Sequence, residues 1–272
     1  MRILLTGRNG QVGWELERAL PALGDVIATD RSTLDIADPD AIRRVIRESK
    51  PDIIVNAAAY TAVDKAESEP EFATLVNGVA PGLLAEEAKR QGALLVHYST
   101  DYVFDGEKRS PYTEDDAPNP ISHYARTKLE GERAIAASGC RHLILRTSWV
   151  YGPRAANFYQ IILRKAQAGE PMRMVDDQTS VPTPSGFVAE HTKALLDKDA
   201  SGVLHLVPSG QATRYEFARE VVKTLRSASH VEAARTEEFP APARRPRFSV
   251  LDNGKAAALL CVPLPDWRDL LP

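Results

Sequence analysis

Short runs of apolar, β-branched residues alternate with stretches of helical period through the first half of the chain. Ile3-Leu4-Leu5 predicts a first strand, and Gly10 to Leu20 a first helix. Val26-Ile27-Ala28 predicts a second strand that leads to Asp30. Asp38 and Pro39 open the next helix, with an acid at the cap and proline at the first helical position. Ile53-Ile54-Val55, Ala93-Leu94-Leu95-Val96 and His142-Leu143-Ile144-Leu145 predict three further strands. Their nearly unbroken apolar character suits parallel strands covered on both faces. Strand–helix alternation of this kind predicts an α/β fold with a doubly wound parallel sheet.

Beyond about residue 150 the pattern loosens. Phe158 to Gln167, Gly186 to Leu196 and Tyr215 to Leu225 predict helices. Met172 to Val175 and Val203 to Leu206 predict strands, and proline is dense from Pro240 onward. We therefore expect a dinucleotide-binding domain over 1–150. Residues 151–272 should mainly form a smaller C-terminal substrate-binding lobe, with some segments returning to the first domain.

The chain has 272 residues, 43% of them hydrophobic and 26% charged, which is ordinary for a globular protein. A formal net charge of -3 gives no drive toward nucleic acid, so no nucleic-acid partner is expected. The densest basic run, Arg244-Arg245-Pro246-Arg247, reads as a solvated loop. No apolar stretch is long enough to span a bilayer, and the first residues enter a strand pattern without a signal-peptide layout, so no membrane partner is expected. Cys140 and Cys261 match no metal or redox spacing. Both read as buried small hydrophobes of a reducing compartment, with the cytoplasm as the expectation.

Gly7-Arg8-Asn9-Gly10-Gln11-Val12-Gly13 lies between the first strand and the first helix. Glycines there permit a tight turn and close backbone approach, and the helix N-terminus offers N–H groups to a pyrophosphate. The alternative is a tight turn with no ligand. The context makes the sheet Rossmann-like and the expected cofactor NADPH or NADH. Asp30 favours NADH by accepting ribose hydroxyls, whereas Arg31 and Arg8 are suited to a 2′-phosphate. These opposed signals predict use of both coenzymes. Asp35, Ile36 and Ala57-Ala58-Ala59 are candidates to wall the adenine and the nicotinamide ribose, with tight sheet–helix packing as the other reading of the alanines.

Tyr124 and Lys128 are four residues apart and share a helix face. An ammonium beside a phenol lowers its ordinary pKa near ~10 and suits it to proton transfer at neutral pH. Tyr124 would then protonate a carbonyl oxygen as hydride reaches its carbon. Thr100, at the end of the fourth strand, is placed to hydrogen-bond that oxygen. The bland reading is an amphipathic helix with an exposed lysine and a half-buried tyrosine.

The glycine loop, Val55-Asn56-Ala57-Ala58-Ala59-Tyr60-Thr61-Ala62-Val63-Asp64, His97-Tyr98-Ser99-Thr100-Asp101-Tyr102-Val103-Phe104, Tyr124 to Lys128, and Arg146-Thr147-Ser148-Trp149-Val150-Tyr151-Gly152 resemble the extended short-chain dehydrogenase/reductase family. Within it, they are most similar to reductases of dTDP-linked 4-keto-6-deoxy sugars. The similarity runs over nearly the whole length. It implies hydride transfer to C4 of a 4-keto-6-deoxy-L-hexose on dTDP, giving dTDP-L-rhamnose, by a monomer or homodimer. It implies Thr100, Tyr124 and Lys128 as catalytic residues, and Val63, Thr100, Asp101, Tyr102 and Trp149 as substrate contacts. Implied cofactor contacts are Gly10, Gln11, Val12, Asp30, Asp35, Ile36, Ala59, Tyr60, Thr61 and Tyr98, with Tyr124 and Lys128. An indole at Trp149 suits the face of a sugar; a core tryptophan is the alternative.

Two departures stand out. Ser180 occupies the glycine position of the family's D-Q-x-G-x-P-T in Asp177-Gln178-Thr179-Ser180-Val181-Pro182-Thr183. Some members hold Mg²⁺ through three glutamates at a dimer interface. Glu15 and Glu190 match two of these, but the third lies in a C-terminal tail and the sequence ends at Trp267-Arg268-Asp269-Leu270-Leu271-Pro272. Both therefore read as surface helix residues and no residue is assigned as a metal ligand, with weak Mg²⁺ binding by these two carboxylates as the alternative. Two other readings remain: a nucleotide-sugar epimerase or dehydratase with a retained cofactor, and a non-catalytic NADP-binding regulatory subunit.

Overall fold

The computed structural model describes residues 1–154 and 157–271. Ala155, Ala156 and Pro272, which the expected lobe includes, lie outside the described residues. Six parallel strands form the central sheet: β1 (Arg2–Thr6), β2 (Asp25–Ala28), β3 (Ile53–Asn56), β4 (Leu94–Thr100), β5 (Arg141–Thr147) and, later in the chain, β10 (Gly202–His205). Their order is β2-β1-β3-β4-β5-β10. The second and third strands thus flank the first on opposite sides, which opens a crevice at the carboxyl end of β1.

The sheet is covered on both faces. On one side α1 (Gln11–Ala19) packs with α7 (Ser185–Asp197) and α9 (Gly254–Leu260) over Ile3, Leu5, Val55, Val96 and Leu145. On the other, α2 (Pro39–Ser49), α4 (Ala80–Gln91) and α5 (His123–Ser138) cover Leu4, Ile54, Leu95 and Ile144. Asp38 caps α2 as expected, accepting from the backbone N–H groups of Asp40 and Ala41. Between β3 and β4 a short helix α3 (Pro70–Thr74) runs through a π turn (Leu75–Val79) into α4. The π turn presents Asn77, whose side chain pairs with the Tyr60 backbone, accepting from its N–H and donating to its carbonyl, both at 2.9 Å.

The later chain contributes to both regions. The helix α7 packs on α1, and β10 extends the main sheet beside β5. The remaining pieces form a separate cluster. Three two-stranded ladders pair β6 (Val150–Tyr151) with β9 (Thr183–Pro184), β7 (Met172–Val175) with β12 (Val231–Ala234), and β8 (Thr179–Ser180) with β11 (Ala212–Thr213). With α6 (Phe158–Ala168) and α8 (Arg214–Thr224) they enclose Tyr151, Tyr159, Ile162, Phe217, Val221 and Trp267. No helix among the described residues is long and apolar enough to cross a membrane.

Two sequence readings are corrected here. Cys140 is buried, but Cys261 is exposed, because it caps the short α9 in a left-handed conformation (φ 59°) that turns the chain outward. The basic run is not uniformly solvated: Arg245 is only partly exposed and pairs with Asp64 at 2.7 Å, and Pro246 is buried.

One ion pair lies inside the first domain. Arg146 on β5 and Glu132 on α5 meet at 2.6 Å, with side chains 5% and 6% exposed. A second contact, from Arg146 Nε to Glu132 Oε1 at 3.0 Å, makes the pair bidentate. Burial raises the cost of leaving either charge alone. We predict that Glu132→Ala, which strands the guanidinium, lowers unfolding free energy by about 3–5 kcal/mol in chemical denaturation.

Candidate active site

The carboxyl ends of β1, β3, β4 and β5 converge on one region. At β1 the chain turns through Gly7, which has φ +73° and lies so close to Ala57 and Ala58 that an added Cβ would sit 2.7 Å from the Ala58 nitrogen. Gly13 on α1 packs against that turn, and a Cβ there would fall 2.1 Å from the Gly7 carbonyl oxygen. Part of the glycine pattern thus serves close packing, as do Ala57 and Ala58. The N-terminus of α1 nevertheless has no side-chain cap: Gly10 stands at the cap position, leaving the first helical N–H groups without a side-chain acceptor. Such an end suits a pyrophosphate.

The strand β4 extends four residues beyond its predicted apolar run, through His97, Tyr98, Ser99 and Thr100. His97, Ser99 and Thr100 are all buried. Thr100 accepts from the Tyr102 backbone N–H at 3.1 Å and donates to Asp101 Oδ1 at 3.0 Å. Tyr124 stands on the first turn of α5, behind the cap made by Ser122 on the Ala125 N–H. Its phenol neighbours Thr100, and its ring meets that of Tyr102 edge-on at 6.3 Å.

One turn later Lys128 is 2% exposed. Its Nζ donates to the Tyr98 carbonyl at 2.7 Å and lies 3.1 Å from His97 Nε2. Burial lowers the Lys128 pKa to about 8, while Glu132 pulls it upward. Burial, reinforced by Lys128, also holds His97 well below its ordinary value, so that ring is neutral. His97 continues to the Asn56 side chain at 3.0 Å, and Asn56 to Thr6 at 2.7 Å. A buried polar chain therefore ties α5 to β4, β3 and β1.

This geometry corrects the expected basis of Tyr124 acidity. Burial raises the phenol above its ordinary value; Thr100 lowers it through a hydrogen bond, and Asp101 and Tyr102 raise it further. The Lys128 ammonium is directed to His97 and Tyr98 instead of the phenol. The expected Thr100 contact changes too, because in this arrangement its proton is given to Asp101.

The other predicted residues are distributed around this centre. The Asp30 carboxylate is fixed by Ser32 and Asn9, and these hydrogen bonds, Ser32 first, hold its pKa below the usual range. Both candidate guanidiniums for a 2′-phosphate are engaged, Arg31 with Asp35 at 3.0 Å and Arg8 with Glu17 at 2.5 Å. Ile36 is buried in the core between the sheet and α2. Tyr60 donates to Glu69 at 2.6 Å, a bond that pushes its pKa up to about 12, and Thr61 beside it is exposed. The Tyr98 hydroxyl is 2.9 Å from Thr192 on α7. Glu15 lies on α1 and exposed Glu190 on α7; no group of three or more His, Cys, Asp or Glu among the described residues could hold a metal ion.

A cleft of about 1170 Å³ is lined in part by Asp64, Asn157, Phe158, Gln178, Arg214 and Arg245; Thr100, Tyr124, Lys128 and the glycine turn do not line it, and it approaches them through Arg214. Asn157 links the cleft to the start of α1 by donating to Gln11 Oε1 at 2.8 Å. Arg214, at the start of α8, lies over the rings of Trp149 at 3.9 Å and Phe158 at 4.4 Å. Burial lowers its pKa, while Tyr102 and Asp101 raise it. Trp149 is half-buried with φ 41°, so it is neither a core tryptophan nor an open platform: a guanidinium covers one ring face. Val63 is half-buried beside Asp64, which binds Arg245 and the Ala243 N–H.

Sequence reasoning missed Arg214, Arg245, His97, Ser249 and Asn77. Arg214 directly precedes the predicted helix Tyr215–Leu225 and carried no motif. His97, Asn77 and Ser249 are single polar residues within apolar segments, a pattern that signals burial but not the partner.

The model of the RmlD substrate binding domain family matches residues 1–272. A dTDP-4-dehydrorhamnose reductase of Burkholderia thailandensis is 44% identical over 285 residues, covering 98% of this chain and 96% of that one. The enzyme of the same name from Escherichia coli K12 is 44% identical over 283 residues, with 98% and 95% coverage. The crystal structure of dTDP-4-dehydrorhamnose reductase from Bacillus anthracis in complex with NADP superposes with a TM-score of 0.95 at 33% identity, covering 99% of this chain and 96% of that one. A fold with this sheet, this Tyr–Lys helix and full-length similarity at that level has one assignment: the chain belongs to the RmlD substrate binding domain family.

Proposed function

We propose that the protein reduces the C4 ketone of dTDP-4-dehydro-L-rhamnose to dTDP-L-rhamnose with NADPH or NADH. The observation that carries this reading is the grouping of Thr100, Tyr124 and buried Lys128 at the carboxyl end of β4, next to the uncapped glycine turn. The reductase name of relatives 44% identical favours this over an epimerase, a dehydratase or a regulatory subunit. Residues 1–150 hold the coenzyme. The lobe built largely after residue 150 holds the nucleotide sugar, with α7 and β10 returning to the first sheet.

The reduced nicotinamide supplies the hydride. The glycine turn and the start of α1 (Gly7, Gly10, Gln11, Val12 and Gly13) hold the pyrophosphate, and Asp30 faces the adenosine ribose. Ala59, Tyr60, Thr61 and Tyr98 border the nicotinamide half, and Lys128 holds the ribose hydroxyls there. Trp149, Tyr102 and Val63 border the sugar. The arginines of the cleft, Arg214 and Arg245, offer planar donors to the diphosphate.

Tyr124 is the proton donor. Burial keeps its phenol protonated at neutral pH, the form an acid must have when a ketone oxygen gains negative charge. Thr100 orients that phenol and, through Asp101, connects it to the second lobe. Lys128 acts by position: its contacts with Tyr98 and His97 fix the ammonium below the coenzyme site.

Purified protein with the keto sugar and NADPH should consume coenzyme steadily and yield dTDP-L-rhamnose; turnover without net coenzyme loss would assign an epimerase instead. Tyr124→Phe should retain coenzyme affinity, measured by fluorescence titration, and lose about 10²–10⁴-fold in kcat. Activity within a few-fold of the parent would remove the proton-donor role. Lys128→Met should weaken both coenzyme binding and rate.

Coenzyme choice provides a separate check. Asp30 disfavours a 2′-phosphate, yet Arg8 and Arg31 lie close by in exchangeable surface ion pairs. The ratio of kcat/KM for NADPH and NADH should therefore stay within roughly a hundredfold, a difference of about 2.7 kcal/mol.

A further inference from the structure

Asp101 is the most enclosed carboxylate of the site, 2% exposed, and its partners are arranged unequally on its two oxygens. Oδ2 accepts from Ser249 at 2.5 Å and from Ser180 at 2.9 Å. Among the described residues, Oδ1 accepts from Thr100 alone, at 3.0 Å. Both serines are buried, and they come from separate segments, β8 and the strand-like stretch that bridges to it at Phe248. The Ser180 hydroxyl has one other acceptor, the Ser249 carbonyl at 3.3 Å. The Ser180 backbone is not among the left-handed residues, so a substitution there does not have to preserve an unusual backbone conformation.

The asymmetry directs a proton. Two hydroxyl donors occupy Oδ2, so a proton added to this carboxyl is accommodated at Oδ1, facing Thr100. The resulting acid donates to Thr100 Oγ1, and the Thr100 hydroxyl is freed to donate to Tyr124. We infer that Asp101 is the proton reservoir behind Tyr124, connected through Thr100, and that Ser180 and Ser249 are positioning residues that select the oxygen carrying the proton. This inference rests on the reductase reading above and extends it.

The step balances. Tyr124 gives its proton to the substrate oxygen and becomes a phenolate. The Thr100 O–H bond breaks as the Tyr124 O–H bond reforms. The Asp101 Oδ1–H bond breaks as a new Thr100 O–H bond forms, leaving Asp101 as the carboxylate. Water entering the cleft after product departs restores the carboxyl proton.

The surroundings permit Asp101 to titrate in a useful range. Burial raises its pKa to about 6, opposed by hydrogen bonds from Ser249, Ser180 and Thr100 and by the charge of Arg214 on α8. The Tyr124 phenol on α5 and the Tyr102 phenol beside it are both pushed up and stay neutral there, and Arg245, next to Tyr102, stays charged. The active form carries the proton, so the rate of the chemical step falls as pH rises through the Asp101 pKa. Serine donors stabilise the ionised form; removing one raises that pKa and moves the fall to higher pH.

The test is the pH profile of kcat with saturating keto sugar and NADPH, where a deuterium isotope effect from C4-labelled coenzyme verifies that hydride transfer limits. Ser180→Gly, the family's own residue, and Ser249→Ala should each shift the descending limb upward by about one pH unit, making the variants faster than the parent on the alkaline side. Asp101→Asn should abolish the limb. A merely structural role would depress the rate at all pH values without moving the limb. An unmoved limb in both serine variants, or a limb retained in Asp101→Asn, overturns the relay. If the parent shows no turnover at any pH, the reductase reading falls and the relay with it.

Discussion

The burial of one ammonium organises this site. Lys128 is 2% exposed at the edge of a parallel sheet, where an unpaired charge would be expensive. Two neighbours offset that cost, the Tyr98 carbonyl and the neutral His97 ring, and both belong to β4. Satisfying the lysine therefore fixes the rotation of α5 relative to β4. Tyr124, one turn earlier on the same face, inherits its position from that constraint. The His97–Asn56–Thr6 chain then transmits the same registration to β3 and β1, next to the glycine turn.

The second lobe is anchored to this centre by charge and hydroxyl contacts. Asp101 gathers Ser180 and Ser249 from the later chain, Asp64 gathers Arg245 and Ala243, and Arg214 covers Trp149 and Phe158. A small apolar cluster of Val103, Phe104, Tyr112, Val181, Val250 and Leu251 lies under these contacts. The cleft is bounded by groups from both the early and the later chain, Asp64 on one side and Arg214 and Arg245 on the other.

The main sheet was legible because its strands are nearly pure apolar runs and because Asp38 marks the start of α2. The end of β4 was less so. Its apolar signal stops at Val96, while the strand continues through His97, which pairs with distant Lys128 and Asn56, Ser99, whose buried hydroxyl has no partner among the described residues, and Thr100, which pairs with neighbouring Asp101 and Tyr102. The Tyr124–Lys128 spacing correctly placed both groups on α5, but spacing alone could not say where the ammonium points. Arg245 escaped notice for a similar reason: a basic run looks solvated until Asp64, 181 positions away, supplies its carboxylate. Cys261 shows the reverse error: α9 packs on the core through Ala256, but the left-handed cap at its end turns the thiol outward.

The raised phenol of Tyr124 gives the site a direction. A base that removes a proton from an alcohol benefits from a depressed phenol pKa, whereas an acid that protonates a ketone benefits from a proton retained until charge develops. Here burial is the largest influence and favours the neutral phenol, and the neighbouring Asp101 adds to it whenever it is ionised. Thr100 opposes both through its hydrogen bond, which stabilises the phenolate once the proton has left. Under the reduction proposed above, the arrangement would hold Tyr124 protonated before transfer, the order that reduction requires.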